Sequence, residues 1–182
     1  MGCWNTWAEC TNEILAAPIM SARLTIAELL DTLPQTGSLV WIGLRPKRRA
    51  DMLEPDTAEL DSSLGLIDDR YAGSSGTRQV TLVQQEHIAT ISSMLGRDIH
   101  VAELRRNLAI TGINLLALKN KQFRIGNTIL EGTGLCHPCS RMEETFGAGG
   151  YNAVRGHGGI TARVLTGGRI ACGDPISLHK QR

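Results

Sequence analysis

Two cysteines three positions apart, Cys136 and Cys139, enclose His137 and Pro138 in the run GTGLCHPCSRMEETFG at residues 132–147. Several chemistries fit this spacing. A C-x2-C pair is half of a tetrahedral zinc site, because thiolates are good zinc ligands. The other half is missing locally: His137 reaches awkwardly from between the cysteines, His157 and Cys172 are far off, and there is no second C-x2-C or H-x3-H pair. Dithiol redox chemistry is a second reading, since a helix N-terminus lowers a thiol's pKa. The helical run CSRMEETF opens at Cys139, so Cys139 is better placed than Cys136 to be a thiolate. Thioredoxin-like motifs, however, lie near the beginning of a βαβ unit, and this motif follows several short strands. Packing of both cysteines as small hydrophobes is the third reading.

The fourth is a ligand held partly by one thiolate and partly by basic groups. Arg105, Arg106 and Asn107 put two guanidinium groups just before or on a strand, and paired arginines suit bidentate phosphate recognition. Arg141, Arg155, His157 and Arg163 follow within sixty residues. Glycines 132, 134, 156, 158 and 159 let backbone N–H groups come close to an anion, and the helix N-terminus at Cys139 favours negative charge. Solvated or salt-bridged arginines are the plainer account of the same residues.

The elements that must position these groups are legible in outline. LTIAELLDTLPQTG predicts a short helix, with Thr25 and Glu28 as a capping box; Leu29, Leu30 and Leu33 form its apolar stripe, and Pro34 and Gly37 stop it. SLVWIGL (38–44) reads as a strand. Residues 45–77 are polar and broken by Pro55, Gly65, Gly73 and Gly76, and are expected to form a long loop with a turn at LGLIDDR. RQVTLV (78–83) alternates as a strand, and QEHIATISSML (85–95) is an amphipathic helix ended by Gly96. Beyond a short VAELRR segment the pattern turns to short strands: RNLAITGI, KQFRIG, NTILEG, and two more in GGITARVLTGGRIACGDPI with Gly167-Gly168 as their hairpin turn. Twelve of the twenty glycines fall between residues 126 and 173, a density that marks tight turns between strands of a barrel or sandwich. Helical pieces at 139–146 and 151–156 interrupt it. The expected fold is therefore mostly β with peripheral helices.

The whole chain bounds the classes of function. Its 182 residues suit one domain, and an apolar fraction of 42% suffices for a core. A net charge of +1 gives no general reason to expect binding to nucleic acid or acidic membrane. The one basic run, Arg45-Pro46-Lys47-Arg48-Arg49, is expected to be a solvated loop, with an anion or partner patch as the alternative. No secretory signal is visible in MGCWNTWAECTNEI, and ILAAPIM is far shorter than the roughly 20 residues needed to span a bilayer. Five cysteines (Cys3, Cys10, Cys136, Cys139 and Cys172) at irregular spacing make a poor disulfide framework, so a reducing, cytoplasmic setting is expected.

The run LRRNLAITGINLLAL…FRIGNTILEGTGLCHPCSRMEETFG…GGYNAVRGHGGITARVLTGGRIACGDPI, with WIGLRP, GLIDDR and RQVTLVQQEH upstream, resembles the MOSC domain, named for the C-terminal part of molybdenum cofactor sulfurase. The small stand-alone bacterial members are the nearest in look. The resemblance implies a MOSC-type β-barrel over residues 38–178, with residues 1–37 as an extension bearing a short helix and 179–182 as a tail. It implies a molybdenum–pterin cofactor or a persulfide-carrying cysteine. In the amidoxime-reducing relatives a C-x-R-C motif holds molybdenum through its last cysteine, which aligns with Cys139; Cys136 aligns with the first, and Pro138 replaces the arginine. Soft thiolates suit such a metal centre. By the same resemblance, Arg105, Arg106 and Asn107 form the pterin-phosphate element, and Arg155, His157, Gly158 and Gly159 line the pocket; Arg141, two residues beyond Cys139, is a cofactor-binding candidate by its nearness to the motif. His157 becomes a candidate proton donor. The implied activity is reduction of small N-hydroxylated compounds, hydroxylamino bases or amidoximes, with electrons from a redox partner. A sulfur carrier loaded by a separate desulfurase is the alternative, since the chain has no pyridoxal-phosphate motif. Neither nucleic acid nor membrane is implied as a partner; a homodimer is left open.

Overall fold

The computed structural model describes residues 24–74 and 76–180. The expectations placed on residues 1–23, with Cys3, Cys10 and the ILAAPIM run, lie outside them. The chain divides into two compact units between Thr32 and Leu33, a little before the boundary expected after residue 37. In the first unit the helix α1 spans Ile26–Asp31. Its capping box is as the sequence predicts: Thr25 Oγ1 accepts from the Glu28 N–H at 3.3 Å, and Glu28 Oε2 accepts from the Thr25 N–H at 2.7 Å. None of its six residues is buried, so Leu29 and Leu30 do not form a core stripe.

The second unit holds ten strands: β1 (Gly37–Ile42), β2 (Thr57–Asp61), β3 (Gly65–Leu66), β4 (Val80–Gln84), β5 (Leu108–Thr111), β6 (Gln122–Ile125), β7 (Thr128–Leu135), β8 (Ile160–Thr166), β9 (Gly168–Ala171) and β10 (Pro175–Leu178). Seven close a barrel in the order β1-β10-β6-β7-β8-β4-β5, confirming the mostly β fold. Every pairing in it is antiparallel except β4 with β5. A parallel pair needs a crossover, and helix α2 (Gln85–Leu95) with a 3-10 turn at Val101–Leu104 supplies it. Gly96 ends α2 with φ 66°, the left-handed geometry glycine adopts without strain.

Strand alternation divides two apolar clusters. Leu39, Leu82, Leu108, Ile110, Phe123, Leu130 and Ile176 fill the barrel. Val83 and Ala109 point outward and meet Ile88 and Ile91 of α2, together with Met142 of α3 (Ser140–Phe146) and Val154 of α4 (Gly150–Val154). β4 and β5 are thus buried on both faces, which is why they read as nearly unbroken apolar runs. Glu143 ties the two short helices together, accepting from the N–H groups of Gly149 and Tyr151 at 2.7 Å each.

Two expectations are corrected. Residues 45–77 are not one long loop: β2 and β3 lie within them and form a small second sheet with β9. Their apolar content is sparse because that sheet is small; Leu60 and Leu66, with Ile170 of β9, anchor it in the core. Gly167-Gly168 does not close a hairpin either. The final stretch carries three strands, and at this pair the chain leaves the barrel for β9, which pairs with β2 and not with β8. A side chain at Gly167 would collide with the Leu60 carbonyl, so glycine permits the close crossing.

Candidate functional site

β7 ends at Leu135, paired with Ile160 of β8, and the next four residues are Cys136-His137-Pro138-Cys139. The Cys136 N–H donates to the Gly159 carbonyl at 2.9 Å, which turns this residue inward; it is 4% exposed. Pro138 is buried, while His137 and Cys139 are exposed. Cys139 is the N-cap residue of α3, and its carbonyl accepts from the Met142 N–H at 2.9 Å. Both cysteines are free thiols, one packed and one presented.

Arg106 holds the loop from behind. Its guanidinium donates to the Gly158 carbonyl at 2.9 Å, the Leu104 carbonyl at 3.0 Å and the Cys136 carbonyl at 3.4 Å. Three chain segments therefore meet on one buried cation. Burial pushes its pKa below the ordinary arginine value, while the charge of the Cys136 and Cys139 thiols opposes that shift.

In front of the loop lies a cleft of about 460 Å³. Six arginines line it: Arg45, Arg70, Arg78, Arg105, Arg106 and Arg141. Cys136, His137 and Cys139 complete the wall on the loop side, and no carboxylate lines it. Arg105 stands at φ 54°, in the left-handed region that is uncommon for a side-chain-bearing residue. Its Nη1 donates to the Ala50 carbonyl at 2.8 Å. Burial, followed by the charges of Arg141 and Arg45, pushes its pKa down. Arg141 Nε is buried with no hydrogen-bond partner. A crowd of guanidiniums with an unpartnered donor has the chemistry that suits an anion.

Asn107 is placed differently from Arg105 and Arg106. It is fully buried, and its Oδ1 accepts from Arg45 Nη2 and Thr81 Oγ1 at 2.8 Å each and from the Thr81 N–H at 3.1 Å. Its Nδ2 donates to the Gly43 carbonyl at 3.1 Å and to Asp69 Oδ2 at 3.0 Å. Asp69 receives Arg45 bidentately, Nε at 2.8 Å and Nη2 at 3.0 Å. Burial raises the Asp69 pKa, but hydrogen bonds and charge from Arg45, with the Tyr71 N–H, leave it below the usual carboxylate value. Every polar atom of the Asn107 amide is committed within the protein, so this residue fixes Arg45 and the strands and does not face the cleft.

The structure brings Arg105, Arg106, Cys136, Cys139 and Arg141 together at the cleft and leaves the other expected residues out of its lining. His157 packs edge-to-face on His87, ring centroids 4.9 Å apart, with both Nδ1 atoms buried and unpartnered. Arg155 is exposed at the end of α4. Gly158 and Gly159 serve the loop through their carbonyls. A side chain at Gly158 would collide with the Cys136 carbonyl, and one at Gly159 (φ 84°) with the Leu82 carbonyl. Sequence reasoning missed Arg70, Tyr71 and Arg78, and met Arg45 only through the anion-patch alternative for its basic run. Arg45 is not in a solvated loop, as its run suggested; its side chain is 12% exposed. Its buried partner is Asp69, 24 residues further on, a pairing that no local pattern marks. Tyr71 takes Arg45 and Arg70 against its ring, each at 4.7 Å. Among the described residues no three His, Cys, Asp or Glu side chains cluster as a metal site, and no helix is long and apolar enough to cross a membrane.

The sequence pattern of the MOSC domain matches residues 67–177. No curated protein matches the chain in sequence. Among solved structures, the YuaD protein from Bacillus subtilis is similar with a TM-score of 0.71 and 18% identity, over 83% of this chain and 100% of that one. YiiM from Geobacillus stearothermophilus follows with a TM-score of 0.66 and 16% identity, over 79% of this chain and 75% of its own. YiiM from Escherichia coli aligns with a TM-score of 0.59 and 18% identity, over 80% and 71% respectively. Identities at this level establish a shared fold.

Proposed function

The chain belongs to the MOSC domain family, and from that premise we propose that it binds a molybdenum–pterin cofactor and reduces N-hydroxylated compounds such as hydroxylamino bases and amidoximes. One observation carries the reading: an exposed free thiol, Cys139, stands at the wall of a cleft lined by six arginines. These residues fit the group. Arg105 and Arg141 offer charge-assisted donors for its phosphate, the unpartnered Arg141 Nε among them, and Cys139 offers a soft ligand for its metal. When bound, the cofactor supplies two-electron oxygen-removing chemistry at a metal.

The chain's own residues hold and orient. Arg106 fixes the Cys136 carbonyl, so the loop presents Cys139 outward and keeps Cys136 packed as support. Asn107 and Asp69 lock Arg45 in the cleft wall. The net conversion of R–NH–OH to R–NH2 and water consumes two electrons and two protons. Electrons come from a separate redox protein, and His137, exposed beside Cys139, replaces His157 as the residue able to hand over a proton from its ring nitrogen. The chain acts in a reducing, cytoplasmic compartment where Cys139 stays a thiol.

The test is metal and pterin analysis of protein made in a host that synthesises the cofactor, using plasma mass spectrometry and oxidised-pterin fluorescence. Near-stoichiometric molybdenum and pterin are expected, lost in Cys139→Ser and largely kept in Cys136→Ser. Zinc in the wild type with equal loss in both variants would overturn the assignment. The same exposed Cys139 also supports a second reading, a persulfide carrier loaded by a desulfurase. Protein without molybdenum but with labile sulfur on Cys139 would select it.

A further inference from the structure

The loop that presents Cys139 borders more than the arginine cleft. Arg78, His137 and Cys139 also line a second cleft, of about 400 Å³. Its chemistry differs. Arg78 is its one arginine, and Thr77, Thr133, Gly134, Leu135 and Thr161 make up most of the remaining wall.

The hydrogen bonds of that wall set the polarity it offers. Thr133 Oγ1 donates its hydrogen to the Thr77 carbonyl at 2.7 Å. The Thr161 hydroxyl, 2.9 Å from that of Thr133, then donates to Thr133 Oγ1 or to the Gly134 carbonyl at 3.4 Å. The hydroxyl hydrogens of Thr133 and Thr161 are spent inside the protein, and their lone pairs are what remain for a ligand. An acceptor-rich wall suits a ligand with several N–H or O–H donors. At the shared wall the polarity reverses, because Arg78 and His137 can donate. Leu135, 41% exposed, supplies apolar surface against which a flat ring can lie.

We propose that the second cleft is a subsite for a small, neutral, donor-rich ligand, namely the N-hydroxylated substrate. This deepens the reductase reading and rests on it. The cofactor anion occupies the arginine cleft, the substrate occupies the threonine cleft, and both reach Cys139 at the wall the two clefts share. The amino edge of an amidoxime or hydroxylamino base meets the threonine oxygens, and the N–OH oxygen lies toward Arg78 and His137.

Calorimetric titration of the full chain without cofactor separates the two clefts. Benzamidoxime is the neutral probe and inorganic pyrophosphate the anionic one. Benzamidoxime should bind with an unchanged Kd in saturating pyrophosphate. Leu135→Asp and Gly134→Ala should each weaken benzamidoxime by about tenfold, the equivalent of one good contact, and leave the pyrophosphate Kd unaltered. Neither change crowds the barrel, since Leu135 is exposed and a Cβ at Gly134 would meet only Thr161 Oγ1, at 3.7 Å. Displacement of benzamidoxime by pyrophosphate, wild-type binding in both variants, or no binding of benzamidoxime would each overturn the subsite. Failure of the subsite in protein that carries molybdenum and pterin leaves the reductase reading standing. A working subsite in protein that never acquires the cofactor overturns that reading and keeps the cleft as a ligand site.

Discussion

Replacing Arg106 by lysine tests whether this residue holds the loop or the ligand. The family resemblance assigns it to the cofactor phosphate, yet its guanidinium already donates to three backbone carbonyls, those of Leu104, Cys136 and Gly158. A lysine ammonium is a compact point donor on a flexible stem and cannot span three carbonyls as a planar fork does. Two of the three bonds are lost, and the carbonyls they served stay buried. Hydrogen bonds to charged groups contribute about 1.5–3 kcal/mol each, so the low end gives roughly 3 kcal/mol for two. For a chain of 182 residues, about 2–4 °C per kcal/mol converts this to a Tm lowered by roughly 6–12 °C. Thermal unfolding followed by circular dichroism measures it. Arg105→Lys is the internal comparison: Arg105 gives one bond, to the Ala50 carbonyl, and should lose no more than about 1 kcal/mol. An Arg106→Lys Tm indistinguishable from that of Arg105→Lys would refute the assignment of Arg106 to the loop.

Three further outcomes follow from the same geometry. Gly159→Ala should destabilise by roughly 3 kcal/mol, combining the left-handed backbone with a collision at the Leu82 carbonyl, whereas Gly156→Ala, left-handed but in open space, should cost only about 1–2 kcal/mol; urea midpoints compare them. Burial, followed by the charge of His157, holds the His87 pKa below its ordinary 6.5, with Glu86 and the His157 backbone opposing. The unfolded chain therefore takes up the proton first, so stability should fall as pH drops below about 6.5, and His87→Phe should flatten that slope in chemical denaturation. Pyrophosphate should raise the Tm by binding the folded cleft, approaching about 2.7 kcal/mol at a hundredfold excess over its Kd; sodium chloride at equal ionic strength should give no comparable rise, and an equal rise would reduce the cleft to general screening.

Legibility varied with the range of the signal. The capping box at Thr25 and Glu28, the helix at 85–95 and the opening of α3 beside Cys139 rest on contacts within one turn, and the sequence alone locates them. The sorting of Cys136 inward and Cys139 outward follows partly from the same helix start. Partners far apart in the chain were hidden. Arg45 and Asp69 are 24 residues apart, and Asn107 reaches Gly43 across 64; no local pattern announces that a basic run beside a proline contributes one buried arginine. The second sheet was hidden for a related reason. β2 and β9 come from opposite ends of the domain, so neither carries a hairpin signal. His157 entered the pocket through the family resemblance and not through its own surroundings in the sequence; its ring packs on His87, and the cleft lining does not include it.

The division of labour between Arg105 and Arg106 shows how the barrel builds the cleft. Two successive arginines in an extended strand would face opposite sides of a sheet. Here the first sits in the left-handed conformation at the end of the 3-10 turn, three residues before β5 begins at Leu108. That bend lets Arg105 stay on the cleft wall while Arg106 turns into the protein toward Leu104, Cys136 and Gly158. Asn107 then anchors the bend, committing its whole amide to Thr81, Gly43, Arg45 and Asp69. Loosening Asn107 would release Arg45 and the bend together, although Asn107 touches nothing in the cleft. Among the described residues, Arg45 is the lining arginine held by a carboxylate within that wall, through Asp69. Arg105 and Arg141, with their depressed pKa and unpartnered Nε respectively, are the cations for which an incoming anion would be the missing counter-charge.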